Sequence, residues 1–147
     1  MDATVHISRH ALDYFRKLAR DCPYEVQAYL IGEVRGPQAN QFYVTTLVHP
    51  REYFKQTVDE IQPTATEYTR AKTIAFNENR RIIGDLHSHP NWDAVMSPAD
   101  HKACLEDGLQ ICGIVSVRDR KTKVRFWQVN SALPCDIKWW KPPQENA

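Results

Sequence analysis

The chain predicts an α/β domain, a mixed and curved sheet with helices packed on it. Three segments with helical periodicity alternate with short, β-branched, apolar runs that read as strands. The 147 residues make one domain, long enough to bury roughly two-thirds of the surface that its unfolded chain exposes. Apolar content of 42% and charged content of 25% are those of an ordinary globule. No internal repeat or low-complexity tract interrupts it.

In order, residues 4–7 alternate as a short edge strand. Ser8 then caps a helix whose Ala11, Leu12, Phe15, Leu18 and Ala19 fall on one face, and Pro23 follows its end. Residues 25–34 read as the first central strand, and residues 36–40 as a turn. Residues 41–48, rich in β-branched side chains, return as its hairpin partner. Residues 49–63 are polar and bounded by prolines, and read as a connection. Thr64 with Glu67 three residues on matches a capping box, opening a helix to about Asn79 with Tyr68, Ala71, Ile74 and Ala75 at helical spacing. Residues 81–84 are a buried strand leading into His87-Ser88-His89-Pro90. A helix runs from Pro98 to about Gly108, and strands cover 111–117 and 124–129. Residues 131–147 form a C-terminal tail, in which Trp139-Trp140 reads either as a plug on the domain's own surface or as a partner site.

Chemistry concentrates between Gly84 and Asp100. On an extended strand His87 and His89 project from one face and Ser88 from the other, and Pro90 ends the strand. Ser97 suits a helix N-cap and Pro98 the first helical position, which places Asp100 in the first turn, its oxygens free to face the strand end. Two imidazoles and a carboxylate on rigid elements, with a fourth position open, are the ligand set of a catalytic zinc site. Asp85 shares the histidine face and either orients an imidazole or serves as a structural acid.

His87-Ser88-His89, seven residues, then Ser97-Pro98-Ala99-Asp100 resembles the JAMM motif of the MPN-domain (JAB) metallopeptidases, with every fixed position filled. The resemblance runs from the first helix to about Asn130, so residues 1–130 are read as the MPN-type domain. It implies a glutamate on an upstream strand seven residues before a glycine. Residues 25–32 match in type and spacing, which nominates Glu25 over Glu33, although Gln27-Ala28 departs from the small residues usual there. It also implies one Zn2+ held by His87, His89 and Asp100, Glu25 as general base, and Ser97 donating to an oxyanion as well as capping its helix. The implied substrate is an amide or isopeptide bond at the C-terminal tail of a ubiquitin-like or sulfur-carrier protein. Such a tail lies along a cleft and pairs with a strand edge, gripped by the loops at 50–63 and 91–96. Trp92 and Asp93 are candidates to line that groove. Alternatives are a noncatalytic MPN assembly scaffold, or a zinc amidohydrolase of a small molecule.

Other classes are excluded or disfavoured. A net charge of +1 without a basic run gives no footprint for nucleic acid. No apolar run approaches roughly 18 residues, and the N-terminus lacks a secretory pattern, so a cytoplasmic protein without a membrane span is expected. Cys22, Cys104, Cys112 and Cys135 form no Cys-x-x-Cys pair and read as free, packed thiols. Zinc nucleobase deaminases need His-x-Glu and Pro-Cys-x-x-Cys, which are missing. Ser88 and Cys104 have no base assigned beside them and are poor nucleophiles. His101 points away from Asp100 on its helix and reads as a surface histidine, and His6, His10 and His49 lack ligand spacing.

Overall fold

A computed structural model describes residues 2–143. Its elements are β1 (Thr4–Ile7), α1 (Arg9–Asp21), β2 (Gln27–Arg35), β3 (Gln41–Val48), β4 (Tyr53–Gln56), β5 (Ile61–Pro63), α2 (Ala65–Asn77), β6 (Arg81–Pro90), α3 (Pro98–Glu106), β7 (Ile111–Arg118), β8 (Lys121–Gln128) and β9 (Pro134–Trp139). Seven strands close into a mixed barrel in the order β1-β3-β2-β6-β7-β8-β9, and β4 pairs β5 in a separate hairpin. Closure removes the free edges a sheet of this size would otherwise expose. No helix among the described residues is long and apolar enough to cross a membrane.

Alternation along the strands sorts the core into two sides. Leu30 of β2, Leu86 of β6, Val115 of β7 and Phe126 of β8 join one cluster, into which α1 lays Leu12, Phe15 and Ala19. The opposite faces serve the other helices. Tyr29 and Ile31 pack on Ala71 and Ala75 of α2, and Cys112 and Ile114 pack near Cys104 of α3. The register slips between Leu30 and Ile31 where β2 meets β6, and between Ile31 and Gly32 where it meets β3. Gly32 is required there, because a Cβ would stand 1.9 Å from the Tyr43 carbonyl oxygen.

Several expectations need correction. Residues 4–7 are no edge: β1 runs parallel to both β3 and β9. The tail contributes β9, which pairs β8 and β1 and closes the barrel. Within it Trp140 meets Tyr43 edge-on at 5.1 Å, and Trp139 lies under the Arg9 guanidinium, half exposed. The connection at 49–63 holds the β4–β5 hairpin, too short and too exposed to leave an alternation signal. Thr64 caps α2, accepting from the Glu67 amide, but Glu67 does not reciprocate. Its buried carboxylate accepts instead from the Arg51 amide at 2.8 Å and from Arg70 at 2.9 Å. His101 is tied down as well, bonded to the Val129 carbonyl at 2.7 Å. The four cysteines are free.

Candidate metal centre

Strand β6 sits between β2 and β7, so its backbone is hydrogen-bonded on both sides and its alternation is fixed. That pairing aims Asp85, His87 and His89 at the side covered by α2 and α3, and turns Leu86 and Ser88 the other way. Ser97 caps α3, accepting from the Asp100 amide at 3.0 Å, and Asp100 Oδ2 accepts from the Ser97 amide at 3.0 Å. This reciprocal box locks the Asp100 rotamer toward the strand. His87 Nε2 and His89 Nε2 stand 3.1 Å apart, and Asp100 places Oδ1 at 3.2 Å from the first and Oδ2 at 3.2 Å from the second.

These spacings suit a tetrahedral ion. Ligand bonds of about 2.0–2.1 Å to a tetrahedral zinc separate the donor atoms by about 3.3 Å. The other nitrogen of each imidazole is committed, as a metal ligand requires: His87 Nδ1 meets Asp85 Oδ2 at 2.7 Å, and His89 Nδ1 meets the Asp93 carbonyl at 2.8 Å. Both contacts hold Nδ1 as the donor and leave Nε2 as a lone pair facing the cluster. The residues therefore fit a zinc ion. His87, His89 and Asp100 form a group able to hold a metal.

Electrostatics agree. Burial opposes charge on His87, but Asp85 and Asp100 override it and raise its proton affinity well above that of an ordinary imidazole. Burial also works against charge on Asp100, yet in the metal-free protein, where the imidazoles take a second proton on Nε2, hydrogen bonds from His87 and His89 hold its carboxyl far below the usual range. A cluster that attracts a proton this strongly attracts a divalent cation for the same reason. Cys112 also lies near Asp85 and His87, but its hydrogen bond with Cys104 and its burial raise the thiol pKa, making it a poor competing ligand.

Glu25 is 5% exposed and shares a cleft of about 570 Å³ with His87 and Asp100. It does not lie on the strand as expected, because β2 begins at Gln27. An extended segment holds it instead, fixed from two sides. From the barrel, Ser88 Oγ accepts from the Val26 amide at 2.8 Å and the Ser88 amide donates to the Val26 carbonyl at 2.9 Å. From the hairpin, the Thr57 carbonyl accepts the Glu25 amide at 2.9 Å and Gln56 Nε2 donates to the Glu25 carbonyl at 3.0 Å. Burial, with the field of nearby carboxylates, outweighs the histidines and lifts the Glu25 carboxyl to about 7.

Sequence reasoning weighed Ser88 only as a nucleophile and gave no site role to Gln27, Gln56 or Thr57. Ser88 had a signal, as a small hydroxyl forced onto the face opposite the histidines. The others had none, since their partners are distant in the chain. Asp85 orients His87, one of the two roles left open for it. Trp92 is 49% exposed and leans on His89 with ring centroids 4.8 Å apart. Asp93 acts through its carbonyl, while its carboxylate pairs with Arg118 at 3.0 Å. Neither lines the cleft, whose walls are β5, the start of α2 and α3.

A His-His-Asp cluster able to hold a metal, in one cleft with a buried glutamate on a barrelled α/β domain, makes this a candidate metal centre. A family model of the prokaryotic homologs of the JAB domain matches residues 8–130, and the chain belongs to that family. Its fold is similar to the solution structure of a protein from Desulfitobacterium hafniense, with a TM-score of 0.72 and 16% identity over 96% of this chain and 95% of that one. It also resembles a solution structure from Salinibacter ruber, with a TM-score of 0.59 and 20% identity over 97% and 94% of the two chains. A JAB1/MPN domain protein from Archaeoglobus fulgidus is similar too, with a TM-score of 0.57 and 15% identity over 93% and 97%. Among curated proteins nothing matches.

Proposed function

We propose that the protein is a zinc-dependent metallopeptidase that hydrolyses an amide or isopeptide bond at the C-terminal tail of a ubiquitin-like or sulfur-carrier protein. The observation that carries this reading is the convergence of two imidazole nitrogens, 3.1 Å apart, on the two oxygens of Asp100, each 3.2 Å from one of them, beside a buried carboxylate in a cleft open to solvent. His87, His89 and Asp100 would hold the zinc, which would supply Lewis acidity and a water more acidic than bulk water.

The remaining work falls to the protein's own groups. Glu25 takes a proton from the attacking water and delivers it to the leaving amine, the pattern of a general base that becomes a general acid. Its raised proton affinity suits the second task, and a bound cation would moderate it for the first. The Ser97 hydroxyl accepts from the Asp100 amide, which leaves its own hydrogen to donate toward the developing oxyanion. Asp85 and the Asp93 carbonyl keep the imidazoles in the ligating tautomer.

An extended tail needs a strand edge, and the closed barrel leaves none in its main sheet. The open strand at the cleft is β5, whose Ile61, Gln62 and Pro63 line it, so the tail is assigned to that hairpin. The test is turnover by zinc-loaded protein of a ubiquitin-like domain fused through its C-terminus to a reporter, against small amides and against Glu25→Gln. The expected result is cleavage of the fusion at its junction, no cleavage of small amides, and loss of activity in the variant. Cleavage of small amides alone would favour an amidohydrolase. A cellular role untouched by Glu25→Gln would favour a scaffold.

A further inference from the structure

The walls of the cleft carry one sign of charge. Glu25, Asp85 and Asp100 lie among the lining residues; Asp59 and Glu60 line the hairpin side, and Glu106 and Asp107 the α3 side. Among the described residues no Lys or Arg belongs to the lining. Two lysines stand close by: Lys55 meets Glu60 at 3.5 Å and Lys102 meets Glu106 at 4.0 Å, both as exposed, solvent-screened pairs. Asp59 and Asp107 have no ion pair among the described residues. Zinc would neutralise two of the three charges at the metal end and leave the outer walls negative.

A second observation shows that the cleft wants donors. Gln27 is 6% exposed, lines the cleft, and pairs with His87 across β2 and β6, on the ligand face. Its Nε2 donates to Asp85 Oδ1, and a carboxylate only accepts, so the amide orientation is fixed. Oε1 is then a buried acceptor with no partner among the described residues. The end of α3 gives a third. A helix C-terminus favours cations, yet the last turn of α3 has none and closes on Glu106 and Asp107. That arrangement opposes the stability of the free domain, and a bound cation relieves it.

We infer that the cleft selects a basic polypeptide tail, with a Lys or Arg near the scissile bond attracted by the walls bearing Asp59 and Asp107, and an N–H of the tail donating to Gln27 Oε1. This deepens the peptidase reading and rests on it. The experiment uses the full chain, zinc-loaded, with two fusions identical except that the residues flanking the junction are Arg and Lys in one and Glu in the other. Uncleavable peptides of the same two tails are titrated in parallel.

The expected preference for the basic fusion in kcat/KM is about tenfold or more at low salt, shrinking toward one at about 0.5 M salt. In Asp59→Lys/Asp107→Lys the preference reverses, while thermal stability holds or rises because the charge at the end of α3 is corrected. Equal cleavage of the two fusions by the native chain overturns the inference and leaves the peptidase reading intact. So does a preference that the double variant does not move. Cleavage of neither fusion, with the basic peptide still binding about tenfold tighter and losing that advantage in the variant, overturns the peptidase reading and keeps this one. Cleavage of neither with equal peptide binding ends both.

Discussion

The cleft has two sides built on opposite terms. On one side β6 and α3 hold the His87, His89 and Asp100 cluster, on a strand paired at both edges and a helix start locked by a reciprocal capping box. On the other the β4–β5 hairpin stands outside the barrel, its strand residues half-buried or exposed and none fully buried. Glu25 joins them. Its backbone is tied inward through Val26 to Ser88 and outward to Gln56 and Thr57. On the proposed function, the rigid side would fix the ion and the exposed side would receive a substrate that must enter and leave. On that reading, a site that couples the two through Glu25 would link substrate capture to proton transfer.

The sharpest break of the rigid side is to remove a ligand. His89→Ala or Asp100→Ala takes one of three protein donors and leaves the rest of the core untouched. The expected outcome is protein that no longer retains zinc through dialysis and loses about a thousandfold or more in turnover. Far-UV circular dichroism should match the native chain. Metal retained at one equivalent by both variants would show that the cluster is not the ligand set.

Glu25→Gln separates chemistry from binding. Zinc stays, because Glu25 is not a ligand, while turnover falls by about 10²–10⁴-fold. The same change should stabilise the metal-free protein. Glu25 sits near 4.5 when unfolded and is raised to about 7 in the fold, so between these values the native state binds more protons than the unfolded one. Native stability therefore falls as pH rises from about 4.5 through 7, and is lowest above it. The glutamine variant escapes this, gaining about 2 kcal/mol above pH 7 once the water reaching this cleft-lining group is allowed for. Chemical denaturation at pH 5 and pH 8 checks the sign: the advantage of the variant must grow with pH. A carboxylate kept at a cost to the fold marks a site shaped by chemistry.

The two sides also differ in how far the amino-acid sequence discloses them. The ligand side was legible because each of its features is local. His87 and His89 share a face by strand alternation, Ser97 and Pro98 announce a helix start, and Asp100 follows in the first turn. The helices were equally local, and α1 buries Leu12, Phe15 and Ala19 as its periodicity predicts. What stayed hidden is held by partners far apart in the chain. The hairpin has strands of four and three residues with little buried surface, so no pattern marks them. β9 was hidden because its burial is partial and its pairing with β1 joins the two ends of the chain. Glu67 mimicked a capping box, but a salt bridge and a distant amide outcompeted the local bond. Placing Glu25 two residues too far inside a strand has the same origin, since Thr57 and Gln56 draw its backbone away from the ladder.

Asp85→Asn sharpens the comparison one step out from the metal. The amide still reaches His87 but cannot raise its basicity, and it presents a donor where Gln27 also donates. Zinc affinity should drop by about 10–100-fold, read by competition with a chelator. Activity at saturating zinc should recover most of the native value. A loss of turnover that zinc does not restore would mean that Asp85 acts on substrate as well as on His87.

The smallest effect expected is the most informative about the exposed side. Gln56→Ala removes the side-chain bond to the Glu25 carbonyl and leaves the Thr57 contact to its amide in place. One neutral hydrogen bond contributes about 1 kcal/mol, so the general base loosens rather than leaves, and kcat should fall by about fivefold. Zinc affinity should not change, because neither β6 nor α3 is touched. KM should rise less than kcat falls if the hairpin mainly positions Glu25, and more if it mainly grips the tail. A variant with native kcat and KM would make the hairpin a passive wall, and the coupling of capture to proton transfer would have to run through Ser88 alone.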